Sequence, residues 1–110
     1  ERTSLYSVKW WRICLDESQM ISSDVLNIMC SDLEARARWC ITGTPLTNSI
    51  KDIHTLLYFL ALHPLEWDPI FEHFFSHPYA NGTDDQSIID LLAPIFWRTT
   101  KSMLSAEEKV

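Results

Sequence analysis

Val8 to Leu15 is apolar apart from Lys9 and Arg12, and this short run ends in two acids. Such a pattern predicts a buried parallel strand. The spacing then changes. Val25, Met29, Leu33 and Ala37 fall four apart from a start near Asp24, which predicts a helix face capped by Ser22 or Ser23. Arg38 to Thr42 predicts a second short strand, ended by Gly43 and Pro45. Asn48 or Ser49 caps the next predicted helix, whose face is Ile50, Ile53, Leu57 and Leu60, and Pro64 closes that element. Asp68-Pro69 predicts a helix start, with Phe71, Phe74 and Phe75 following at helical spacing. Pro78 through Asp84, with Asn81-Gly82 inside it, predicts a turn. A last helix is predicted from Asp85 to Phe96 on Ile88, Leu91, Leu92 and Ile95, with Pro94 as a place for a kink. The order is strand, helix, strand, then helices alone, which is half of a parallel α/β sheet.

Composition narrows the class. The 110 residues are 46% apolar and 22% charged, with only two Gly, enough for one small folded domain and unlike a disordered segment. No apolar run reaches the ~18 residues of a membrane span. A net charge of -6 argues against a free-standing nucleic-acid binder. The charge is unevenly placed: Asp52 to Trp97 holds seven acids and no Lys or Arg. Seven of the 13 aromatics crowd into Tyr58 to Tyr79, enough for a small helical core of their own. Cys14, Cys30 and Cys40 form no C-x-x-C pair, so a zinc ribbon, RING or PHD finger cannot be built from them. Cys14 and Cys40 lie in apolar runs and are expected to be buried reduced thiols. His54, His63, His73 and His77 have no strong metal-ligand spacing and are expected to be ordinary core or surface histidines. The chain starts at Glu1 without a basic-then-apolar leader and is expected to be a piece of a longer one.

Two segments carry candidate chemistry. Arg12-Ile13-Cys14-Leu15-Asp16-Glu17 is an apolar strand ending in Asp-Glu, the acidic corner of a P-loop nucleotidase. In such a corner Asp16 positions magnesium through water and Glu17 orients and activates the attacking water. An acidic turn after an ordinary strand is the plainer alternative. Thr42-Gly43-Thr44-Pro45 follows 26 residues after Asp16, again at a strand end. It reads either as an ordinary turn, with glycine for an unusual φ, or as hydroxyls that sense a phosphate from the neighbouring strand.

Taken together, Trp11-Arg12-Ile13-Cys14-Leu15-Asp16-Glu17-Ser18-Gln19 and, after a helix, Arg38-Trp39-Cys40-Ile41-Thr42-Gly43-Thr44-Pro45-Leu46-Thr47-Asn48-Ser49 resemble helicase motifs II and III of the Swi/Snf family of DNA-translocating ATPases. Asp52 to Leu62, with Phe59-Leu60, is similar to that family's helix after motif III. Phe96-Trp97-Arg98-Thr99-Thr100-Lys101 is similar to its basic segment at the end of the first lobe, with Arg98 and Lys101 as the matching bases. Lys9-Trp10-Trp11, the Asp-Glu-x-Gln box, Pro78-Tyr79 and Trp97-Arg98 resemble most the branch of nuclear E3 ubiquitin ligases that join such an ATPase to linker-histone-like, PHD and RING domains. Ser18-Gln19 stand in place of the commoner Ala/Gly-His, Thr47 in place of Gln, and Trp97 in place of the first Arg of the basic pair.

The resemblance implies an α/β fold: a partial P-loop (RecA-like) parallel-sheet lobe carrying motifs II and III, followed by a helical protrusion. It divides the chain into residues 1–62, part of the ATPase lobe; 63–96, the protrusion; and 97–110, the end of the first lobe or a linker. It implies ATP and Mg2+ as cofactors, with Asp16 and Glu17 catalytic, Asp16 serving the metal through water, and Thr42 to Pro45 coupling hydrolysis to movement. Implied partners are double-stranded DNA or a nucleosome, with histones and the ubiquitin machinery beyond them, in a nucleus and away from membranes. The chain has no G-x-x-x-x-G-K-[ST], so the phosphate cradle is expected before Glu1 and the second lobe after Val110. A degenerate lobe kept as a protein-binding scaffold is the alternative reading.

Overall fold

A computed structural model describes residues 4–21, 23–45, 49–82 and 85–98. The Thr47 and Asn48 positions, Lys101 and the rest of 99–110 lie outside the described residues. Strand β1 (Trp10–Asp16) leads through a 3-10 turn (Ser18–Ile21) into helix α1 (Asp24–Ser31) and strand β2 (Ala35–Ile41). Helix α2 (Lys51–Leu60) follows, then α3 (Asp68–Phe71), a π turn (Glu72–Ser76), α4 (His77–Asn81) and α5 (Asp85–Leu92).

The strands pair in parallel, Trp10 against Ala35 and Asp16 against Ile41, so both end at the same edge. Ser23 caps α1, its hydroxyl accepting from the Leu26 amide at 3.3 Å. The predicted four-apart face does not survive: α1 stops at Ser31, Val25 and Met29 are exposed, and Leu33 and Ala37 lie beyond the helix, Ala37 in β2. The helix ends early because Arg38 reaches back from β2. Its guanidinium donates to the carbonyls of Cys30 (3.5 Å), Ser31 (3.1 Å) and Leu33. A cation on the last carbonyls stabilises a helix C-terminus through both hydrogen bonds and the helix dipole. Buried Asn27 ties α1 to α2, donating to the Thr55 carbonyl at 3.3 Å.

Only one face of the sheet is covered. Ile13, Leu15 and Cys40 pack on Ile21, Leu56 and Phe59. On the other face Arg12, Cys14, Trp39 and Ile41 are exposed, with the Arg12 guanidinium 4.7 Å from the Trp39 ring centre. The expectation of buried strands therefore holds on one side alone, and Cys14, expected to be buried, is exposed because it points to the uncovered side. All three cysteines are free thiols.

The second core joins the helical segment to α2. Phe71, Phe75 and Ile88 pack on Ile53 and Leu57. The aromatic stretch does not build a core of its own: Phe59 belongs to the sheet-side cluster, and Tyr58, Trp67, Phe74 and Tyr79 are exposed. Pro78 sits inside a helix, not in a turn. It has no N–H to give, and the preceding turn relaxes so that the His77 amide reaches the carbonyl of Glu72, five residues back. The turn begins at Gly82, whose φ of 62° ends α4 in the left-handed region. Helix α5 stops at Leu92, two residues before Pro94, so proline ends it without kinking it.

Candidate functional site

The parallel register brings motif II and motif III together. Asp16 is the last residue of β1 and Thr42 follows the last residue of β2, at one sheet edge. Ligands of open α/β sheets bind outside this carboxyl edge. Glu17 has φ of 50°, a left-handed conformation uncommon for a non-glycine residue. It is held there by local bonds: its N–H donates to Asp16 Oδ1 at 2.9 Å, and its carbonyl accepts from the Met20 amide at 3.0 Å. Strained backbone of this kind collects at functional sites because the surroundings must over-determine it.

Gln19 joins the two motifs. Its Nε2 donates to Glu17 Oε2 at 2.5 Å, and its Oε1 accepts from the Thr42 hydroxyl at 2.5 Å. The Thr42 oxygen in turn accepts from the Thr44 amide at 3.0 Å. One chain of hydrogen bonds therefore runs from the Glu17 carboxylate to the backbone of the motif III loop. The amide has a donor at one end and an acceptor at the other, so it bridges a carboxylate and a hydroxyl without changing protonation. Gly43 is exposed, a Cβ there would meet nothing within 4 Å, and its φ lies outside the left-handed region. The unusual φ expected of it falls on Glu17 instead.

Ser18 is fully buried beneath this corner and its Oγ has no hydrogen-bond partner. The Cys40 thiol lies beside it, pushed up to about 11 by burial, with the Ser18 hydroxyl pulling weakly the other way. That contact is too poorly formed to satisfy the hydroxyl, so position 18 favours a small residue by packing alone. Arg98 is exposed, and no hydrogen bond or ion pair ties it to this corner among the described residues. No group of three or more His, Cys, Asp or Glu side chains among the described residues is placed to hold a metal ion. Gln19 was marked in the sequence by standing where the family's box commonly has His, whereas the role of Arg38 had no sequence signal of its own, since it depends on the strand register.

Residues 1–109 match the family model of the SNF2-related domain. The chain belongs to the SNF2-related domain family. It is 35% identical over 99 residues to the E3 ubiquitin-protein ligase SHPRH of Mus musculus, covering 88% of this chain and 6% of that protein. It is 32% identical over 111 residues to the DNA repair protein RAD5A of Arabidopsis thaliana, covering 97% of this chain and 11% of that one. Among solved structures, the Sulfolobus solfataricus SWI2/SNF2 ATPase core in complex with dsDNA matches with a TM-score of 0.75 at 27% identity, over 91% of this chain and 22% of the other. This chain thus spans a small part of each relative, and the SNF2-related fold is the frame in which the β1–β2 edge is placed.

Proposed function

We propose that this chain is the segment of an SNF2-type first lobe that activates water for ATP hydrolysis and passes the result to the motif III loop. The protein containing it would act on double-stranded DNA and take part in DNA repair together with a ubiquitin-ligase activity, as the names of its relatives suggest, and a nucleus and nucleosomes are where such a translocase would work. The observation that carries this reading is the chain Glu17–Gln19–Thr42 across the two strand ends.

Glu17 acts as the base that orients and deprotonates the attacking water. Gln19 fixes its carboxylate, and Thr42 ties Gln19 to the loop, so displacement of one end is felt at the other. Asp16 fits a magnesium site only in part: it is exposed and gives one oxygen to the Glu17 amide, and no further carboxylate cluster joins it. That suits Mg2+, which keeps several waters and is held by one or two carboxylates plus substrate phosphates. Bound there, the ion would neutralise charge developing on the phosphates. Thr44, Gly43 and Pro45 would carry the coupling loop, and Arg98 with Lys101 would end the lobe at 97–110. Residues 63–96, whose acids have no Lys or Arg between them, would face protein and not phosphate, since like charge repels DNA.

The test is Glu17→Gln in the full-length protein. The side chain keeps its shape and loses its basicity, so turnover should fall by about 10²-fold or more while nucleotide binding persists. An unchanged ATPase rate overturns the reading.

A further inference from the structure

Outside the motif II and III corner, the turn between α2 and α3 builds an open cleft of about 570 Å³ lined by Tyr58, His63, Glu66, Trp67 and Asp68. Two of its lining side chains are aromatic rings, two are carboxylates and one is the His63 imidazole. Tyr58 and Trp67 are 44% and 58% exposed, large rings left uncovered. The Glu66 side chain is only 20% exposed. One of its oxygens meets His63 Nδ1 at 3.1 Å, while Oε2 is buried and has no partner. Asp68 stands at the rim, 84% exposed, with His54 Nε2 at 3.3 Å. No lysine or arginine occurs between residues 52 and 97, so the local counter-charge is imidazole and not a fixed cation.

We propose that this cleft receives the guanidinium of an arginine from a basic protein segment. A buried carboxylate oxygen without a donor is costly, and a turn of the Glu66 side chain toward the cleft it lines would bring that oxygen to an incoming N–H. Aromatic faces attract a cation through the ring quadrupole, arginine more often than lysine. Guanidinium is planar and weakly hydrated, stacks on rings and forks onto carboxylates, whereas ammonium is a strongly hydrated point charge that gains less from entering an aromatic cleft. Two rings, one orphan carboxylate oxygen and one rim carboxylate match the first cation better than the second. The proposal deepens the reading of residues 63–96 as protein-facing and rests on that part alone, not on the hydrolytic corner.

The test uses the full-length protein and a pair of fluorescein-labelled glycine–serine peptides, one carrying several arginines and the other lysines at the same positions. Fluorescence anisotropy should show the arginine peptide binding about fivefold or more tightly. Trp67→Ala should weaken it roughly 3- to 30-fold, and Tyr58→Ala should act in the same direction. Both side chains are largely at the surface, so their removal spares the core. Glu66→Gln should weaken the arginine peptide more than the lysine one. Equal affinity for the two peptides, a preference for the lysine peptide, or affinity unchanged in both Trp67→Ala and Tyr58→Ala, overturns the proposal. Binding is measured in Glu17→Gln as well. Retained there, it separates this cleft from the hydrolytic reading; absent there and in the parent protein, it sinks the cleft and leaves the corner untouched.

Discussion

Gln19→Ala removes both hydrogen bonds of the bridge at once, and the size of its effect follows from what each end is. The Glu17 end is a hydrogen bond to a carboxylate, a class worth about 1.5–3 kcal/mol. The Thr42 end joins two neutral groups, a class worth about 1 kcal/mol. If the bridge serves to hold Glu17 toward water, the carboxylate end decides the loss, and 1.4 kcal/mol per decade converts it to roughly 10- to 150-fold in DNA-stimulated ATP turnover. Thr42→Ala leaves the Gln19–Glu17 bond in place, so it should cost less, roughly fivefold. The decisive measurement is the double variant. Two residues acting as one relay give a double-mutant loss no larger than that of Gln19→Ala alone, a coupling of the order of the Thr42 term. ATP binding, followed separately with a fluorescent nucleotide, should move little, because the polar atoms of both side chains are spent on the bridge itself. Losses that simply multiply would mean the two residues act apart, and unchanged turnover in Gln19→Ala would refute the relay.

Arg38→Ala removes the carbonyl cap on α1 and the guanidinium 5.1 Å from the Phe59 ring, so hydrogen exchange over 28–33 in the intact protein should quicken roughly 10- to 100-fold, and unchanged exchange would show that the cap contributes nothing. Ala61→Gly should slow exchange at the end of α2, because Ala61 caps it at φ of 53° and glycine relieves a left-handed strain of about 1–2 kcal/mol while returning about half of that in chain entropy. Alkylation at pH 8 should label exposed Cys14 well before Cys40. Folding raises the Cys40 thiol to about 11 from the ordinary 9.0, which cuts its thiolate roughly 100-fold, and labelling should appear only as pH rises toward 11; equal rates by mass spectrometry would contradict the burial.

The meeting of Asp16-Glu17 and Thr42 at one sheet edge was legible because its signals are local. An apolar run ending in Asp16-Glu17 and a second ending in Thr42 need only parallel pairing to meet, and α1 between them forces it. What was not legible depends on contacts between distant residues. Leu33 and Ala37 continued the four-residue spacing of α1 past its true end, because nothing local reveals that Arg38 will turn back onto its last carbonyls. Pro78 looked like a breaker, yet proline is tolerated in the first turn of a helix, and the π turn before it absorbs the missing bond. The aromatic stretch looked self-sufficient because periodicity cannot say which partner a face will find. That partner is α2. Leu56 and Phe59 point to the sheet while Ile53 and Leu57 meet Phe71, Phe75 and Ile88, so the helix is buried on two sides. The predicted face of Ile50, Ile53, Leu57 and Leu60 took in the Ile53–Leu57 side and, through Leu60, only the margin of the sheet side, missing Leu56 and Phe59. A helix with two buried sides belongs to both layers, and a substitution on either side, Phe59 or Leu57, loosens an element that the other side also needs. The helical segment is therefore fastened to the motif-bearing sheet through one shared rod, and its stability cannot be separated from that of α2.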